Sequence, residues 1–173
     1  IHSTLVVTLE RGQNDDEIGK IIDFALEYRC LRGVTFQPTQ VAGRTDNFDP
    51  LKNKFTLTET RQGILDQTDI FKENDIIPVP CNPDALAMAY ALKLDGKVVP
   101  LTSMIDPDIF LNGTRNTILL EQEENLQKEL IKVFSTSQTG GTLAKNLQTL
   151  LCCLPMISAP NLSYENIFRV IIL

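Results

Sequence analysis

The stretch from Leu5 to Pro38 limits the folds open to this chain more than any other, because two short apolar runs there bracket one amphipathic segment. Leu5-Val6-Val7 and Val34-Thr35-Phe36 are β-branched or aromatic runs, suited to strands buried on both faces. Between them Ile18, Ile21, Ile22, Ala25 and Leu26 recur at helical spacing, while Asp15, Asp16, Lys20, Asp23 and Glu27 fall elsewhere on the wheel. Asn14 is the expected N-cap of this helix. Glu17, three residues on, completes a capping box, in an acidic first turn that the helix dipole favours. Gly33 marks the exit into the second strand. Two strands joined through a helix are parallel and their crossover is right-handed, so the stretch predicts an α/β fold. In such folds ligands sit on the loops that follow the carboxyl ends of the strands. Here those loops are Glu10-Arg11-Gly12-Gln13-Asn14-Asp15 and the run from Gln37 to Arg44, both polar and glycine-bearing.

With 173 residues, 43% of them hydrophobic, the chain holds one ordinary core. Its net charge of −6, with the basic residues scattered, argues against nucleic acid as a partner. No apolar run approaches the roughly 20 residues that span a bilayer and no signal peptide opens the sequence, so a soluble cytoplasmic protein is expected. The four cysteines, Cys30, Cys81, Cys152 and Cys153, lack the spacing of a secreted disulfide scaffold and are expected to be reduced. His2, the single histidine, argues against a catalytic triad, a histidine-rich zinc site or a histidine base. The opening without Met and the closing apolar run Phe168–Leu173 suggest a fragment whose first and last elements continue elsewhere.

Further along, the loop from Val41 to Lys54 carries turn chemistry throughout, at a length more often functional than structural. Thr58 is the expected cap of a helix running to about Asn74. Ile76-Ile77-Pro78-Val79-Pro80 reads as a third parallel strand, placed at an edge or strand end by its prolines. After the turn Cys81-Asn82-Pro83-Asp84, Met88, Tyr90, Leu92 and Leu94 alternate with Ala87, Ala89, Ala91 and Lys93. Asp95-Gly96 then predicts a hairpin into Lys97–Leu101. Segments Ile118–Phe134 and Leu143–Leu154 read as helices. The chain thus divides into residues 1–105, strands and hairpin, and residues 106–173, a helical tail.

Of the candidate site residues, Thr8 and Glu10 share a strand face at a carboxyl end, where inward polar groups want a ligand or partner. Asn14 and Asp15 are explained equally well by capping. Gln37-Pro38 ends the second strand, and from the bare pattern a simple strand cap is the favoured role. Arg44 meets either an anion or water. Cys81 has a site-like position but the behaviour of a small hydrophobe, and adjacent side chains of Cys152-Cys153 diverge, which favours packing.

Three runs together resemble a known family: Thr8-Leu9-Glu10-Arg11-Gly12-Gln13-Asn14-Asp15-Asp16-Glu17-Ile18-Gly19, Arg32-Gly33-Val34-Thr35-Phe36-Gln37-Pro38, and Gly43-Arg44-Thr45. They are similar to the later strands of a radical S-adenosylmethionine barrel, of the branch containing tetraether-lipid-synthase-like proteins and Fe-S oxidoreductases. Ile77-Pro78-Val79-Pro80-Cys81-Asn82-Pro83 resembles that branch's Val-Pro-Cys segment. The resemblance covers Leu5 to about Pro100, and more weakly Leu150 to Ile172. It implies the C-terminal half of a partial (β/α)6 TIM-like barrel. It also implies a parent oxidoreductase that uses S-adenosylmethionine and a 4Fe–4S cluster to generate a 5′-deoxyadenosyl radical and modify an unreactive carbon centre. The family's Cys-x-x-x-Cys-x-x-Cys cluster loop is absent here, so the fragment alone is expected to be inactive and to hold no cluster. Cys81 is the single accessory metal-ligand candidate, and Asp84-Ala85 stands where branch members carry further cysteines. By the same resemblance Thr8, Glu10, Asn14, Gln37 and Pro38 are expected to border the S-adenosylmethionine cleft, Gln37 and Pro38 beside the adenine.

Two other functions compete with this one. A non-enzymatic interaction module would use the exposed barrel edge and the Ile118–Phe134 helix, with self-association through exposed edges. A barrel lyase or aldolase is disfavoured, since no lysine stands at a convincing strand end.

Overall fold

In the computed structural model, which describes residues 2–39, 49–79, 82–94, 97–111, 128 and 166–173, the organising stretch folds as β1 (Ser3–Leu9), α1 (Ile18–Glu27) and β2 (Leu31–Pro38). β1 and β2 are parallel, with Leu5 beside Val34, Val7 beside Phe36 and Thr8 beside Gln37. The remaining elements follow in the order α2 (Pro50–Asn53), α3 (Leu57–Gln67), β3 (Ile77–Pro78), β4 (Ala87–Leu94), β5 (Lys97–Pro100), α4 (Pro107–Leu111) and β6 (Ile167–Ile172). The strands form one open mixed sheet in the order β1-β2-β6-β4-β3, and β5 also pairs with β4. β4 and β5 make the expected antiparallel hairpin, with Leu94 opposite Lys97.

Two expectations about the sheet are corrected. β3 is a two-residue strand antiparallel to β4, with Ile77 opposite Met88, and not a third parallel strand. Pro78 has no N–H to give a ladder, which limits the strand to this short edge piece. The expected helical tail ends in a strand: Ile167–Ile172 lies in the middle of the sheet, parallel to β2 and antiparallel to β4. Its residues, Ile-Phe-Arg-Val-Ile-Ile, are mostly β-branched, and Phe168, Val170 and Ile172 alternate into the core. The segments Ile118–Phe134 and Leu143–Leu154, Arg44, Cys81 and the Cys152-Cys153 pair lie outside the described residues, apart from Lys128.

One face of the sheet packs against α1 and α3. Leu9, Val34, Phe36, Phe168, Val170, Ile172 and the small side chains Ala87, Ala89 and Ala91 pack there against Ile18, Ile22 and Ala25 of α1 and Ile64 of α3. Where α1 and α3 touch, Gly19 is required: a Cβ at that position would overlap the Gln67 carbonyl oxygen. Gly33 allows a second close approach, since a Cβ there would stand 2.5 Å from the Arg169 carbonyl oxygen of β6.

The helix caps also differ from expectation. Glu17, not Asn14, is the N-cap of α1, and its side chain makes no capping bond. The service comes from α3, where Gln67 Oε1 accepts from the Gly19 N–H at 3.1 Å and Gln67 Nε2 donates to the Asp15 carbonyl at 2.7 Å. At the other end of α1, Lys93 Nζ of β4 donates to the carbonyls of Tyr28 at 2.9 Å and Ala25 at 3.5 Å. Burial pushes the Lys93 ammonium below its ordinary pKa. α3 is capped by Thr56, two residues before the expected Thr58, in a full capping box with Glu59, and it ends at Gln67.

Candidate functional site

β1 and β2 end side by side, and the pleat decides what each end presents. Leu9 and Pro38 are paired neighbours and both are buried toward the helices. Thr8 and Gln37 are paired neighbours on the face opposite α1 and α3, and both are exposed. A hydroxyl and a primary amide therefore stand next to one another at the carboxyl ends of two parallel strands. Glu10 follows directly after β1, with its carboxylate also exposed. Together the three offer donors, acceptors and one negative charge to a polar or cationic small molecule.

Short contacts fix the backbone around them. The Leu9 carbonyl accepts from both the Thr39 N–H at 2.8 Å and the Thr39 hydroxyl at 2.9 Å, which ties the start of the β2 exit to the end of β1. Asn14 folds back across the β1 exit: its Oδ1 accepts from the Glu10 N–H and its Nδ2 donates to the Thr8 carbonyl, each at 2.9 Å. Its amide therefore pins the main chain on either side of Leu9 and is turned away from the helix it was expected to cap. Asp15 accepts from the Gly12 N–H at 2.8 Å.

Arg11 ties the same loop to α3. Its Nη2 and Nε donate to the Lys54 carbonyl at 2.7 and 3.2 Å, Nη2 meets Glu59 Oε1 at 2.5 Å, and the guanidinium lies 5.5 Å from the centre of the Phe55 ring. Glu59 also accepts from the Thr56 N–H and hydroxyl, both at 2.9 Å. Its carboxyl is held below the ordinary carboxylate range, first by the Arg11 hydrogen bond and next by the Thr56 N–H.

The structure thus brings Thr8 and Gln37 together, sets Glu10 just beyond them, uses the Asn14 side chain to hold the turn, and buries Pro38 on the other face. Arg11, Thr39, Glu59 and Gln67 were not singled out as functional by sequence. The pattern Thr56-x-x-Glu59 is a local signal for one of them, whereas the Arg11 and Gln67 contacts bridge residues more than forty positions apart and leave no local trace. Among the described residues no group of three or more His, Cys, Asp or Glu side chains converges as a metal site requires. Cys30, exposed at the amino end of β2, stands at the far end of the strand from Gln37. The described donors do not fit an iron–sulfur cluster, which needs several converging thiolates. No described helix is long and apolar enough to cross a membrane.

No protein-family model matches the chain. It is similar to a 7,8-dihydro-6-hydroxymethylpterin dimethyltransferase of Methanocaldococcus jannaschii, with 31% identity over 138 residues, 66% of this chain and 27% of that protein. The chain therefore spans about a quarter of the length of that relative.

Proposed function

We propose that this chain is part of a radical S-adenosylmethionine protein and contributes the polar wall of its S-adenosylmethionine site. The observation that carries this reading is the pairing of Thr8 with Gln37, both exposed on the face opposite α1 and α3 at the carboxyl ends of β1 and β2, followed by Glu10. A sulfonium and an amino group attract a carboxylate, and an adenine edge suits an amide. The similarity to the methanogen dimethyltransferase supports the family, and the β1–α1–β2 unit suits two later strands of a partial (β/α)6 barrel. The tetraether-lipid-synthase-like branch is the finer assignment of the same reading. Asn14 then shapes the cleft from behind, and Pro38 supports it from the buried side.

The reaction proposed for the whole protein is modification of an unreactive carbon centre. The relative's name makes methylation of a small heterocycle the first form to test. Iron–sulfur chemistry would be supplied by cysteines other than the described one, and no step through it is derived from these residues. The protein is proposed to act in the cytoplasm.

The test is calorimetric titration of S-adenosylmethionine into the full-length protein. Glu10→Gln and Gln37→Ala are each expected to cost about 1.5–3 kcal/mol of binding, one to two powers of ten in affinity, with the thermal midpoint unchanged. Wild-type protein that binds no S-adenosylmethionine would end the proposal.

A second reading, self-association, is favoured by one feature. Among the described strands β1 lies at the edge of the sheet, and its Val6 side chain is 64% exposed on the face opposite α1 and α3. Light scattering that shows a strict monomer at high concentration would remove it.

A further inference from the structure

The segment between β2 and α3 is tied twice to the end of β1, once by Thr39 on the Leu9 carbonyl and once by the Arg11 guanidinium on the Lys54 carbonyl. Arg11 follows Glu10 directly, so whatever holds Arg11 restrains the backbone from which the Glu10 carboxylate hangs. We propose that Arg11 is the positioning residue of this site, acting through Glu10 and not on the ligand. This inference rests on the S-adenosylmethionine reading above.

The geometry supports positioning over binding. All the contacts described for the guanidinium go to the segment that opens α3, which packs into the core on the side away from Thr8 and Gln37, and none goes to either of those two residues: two bonds to the Lys54 carbonyl, one to Glu59 and a position over the Phe55 ring. A lone surface ion pair contributes little, but here one planar group serves a carbonyl, a carboxylate and a ring at once, which a lysine ammonium cannot reproduce. Glu59 is itself fixed by the Thr56 capping box, so the anchor is attached to the first turn of α3 and not to a free side chain. Asn14 holds the Glu10 N–H from the other side. The carboxylate of Glu10 therefore projects from a backbone held on both flanks.

The experiment uses the full-length protein and two readouts, amide hydrogen exchange over residues 10–14 and calorimetric titration with S-adenosylmethionine. Arg11→Ala is expected to speed exchange in that segment about tenfold and to weaken binding by a similar factor, since about 1.4 kcal/mol corresponds to each tenfold step. Arg11→Lys should recover part of both effects. Thr102→Ala, which removes a hydroxyl that donates to Asp75 far from the site, is the control for general destabilisation and should leave both readouts unchanged. If Arg11→Ala fails to fold, Glu59→Gln serves in its place, because it keeps acceptor oxygen for Thr56 and gives up the charge that faces Arg11. Unchanged exchange over residues 10–14, or an affinity loss no larger than that of the control, overturns the proposal. Faster exchange in a protein whose wild type binds no S-adenosylmethionine leaves the anchor standing and removes the ligand assignment instead.

Discussion

The two halves of the sheet are built by different means. β1, α1 and β2 form a parallel unit closed by a crossover of neighbouring residues, and its outer strand is half in solvent: Val6 is 64% exposed while Leu9 is fully buried. β6, β4, β3 and β5 form an antiparallel set whose central strand β4 is buried on both faces, with Met88 at 1% and Ala89 at 1% exposure. The first half leaves polar side chains at its carboxyl ends and carries the candidate site. The second half has little exposed side chain to offer and serves as the support against which β2 is held.

That contrast is open to measurement, and core truncation gives the largest expected effect. Phe168→Ala, in the middle strand, should destabilise the protein by about 3–5 kcal/mol in urea denaturation, while Val6→Ala on the edge should stay within about 0.5 kcal/mol. Equal losses would mean that β1 is covered in solution. Gly33→Ala comes next. Its methyl group would strike the Arg169 carbonyl across the seam between the halves, and a cost of about 1–3 kcal/mol is expected from the same denaturation curves. Asn14→Ala should cost about 1 kcal/mol of stability, read as a lowered thermal midpoint, because it removes two bonds at the β1 exit, and should loosen the parallel half alone by hydrogen exchange.

The smallest effect is one of pH. The depressed pKa of Glu59 means that its folded form binds a proton less readily than its unfolded form. Its contribution is therefore complete above the ordinary carboxylate range and is lost as pH falls through the lowered value. Glu59→Gln should flatten that part of the acid-denaturation profile, and a profile identical to wild type would show that the pair contributes nothing there.

The same division explains what the sequence discloses. In β1–α1–β2 the side chains that define each element are near neighbours, so the period of Ile18, Ile22 and Ala25 and the runs Leu5–Val7 and Val34–Phe36 suffice to place them. The Asp95-Gly96 hairpin is legible for the same reason. The partner of β2 is not, because Val34 meets Val170 and the chain between them carries no signal of that pairing. The caps of α1 are hidden likewise: Asn14 has the right chemistry at the right spacing, yet Gln67 of α3 serves one end and Lys93 of β4 the other. At the site, alternation put Thr8 and Glu10 on one strand face, whereas β1 ends at Leu9 and Glu10 lies just beyond it; the neighbour that Thr8 does have, Gln37, depends on the register between β1 and β2, which sequence alone does not supply.

The position of β6 also governs the order of assembly. β2 and β4 are separated in the sheet by a strand that comes from about 130 residues after β2 along the chain, and closing so long a loop costs entropy before any pairing repays it. The parallel unit and the β4–β5 hairpin are local enough to form early. Until Ile167–Ile172 arrives between them, the inner edges of both pieces expose ladder groups and apolar side chains such as Phe36 and Ala89. Such an intermediate is prone to pair with another copy of itself, so refolding yield should fall as protein concentration rises even if the native protein is monomeric.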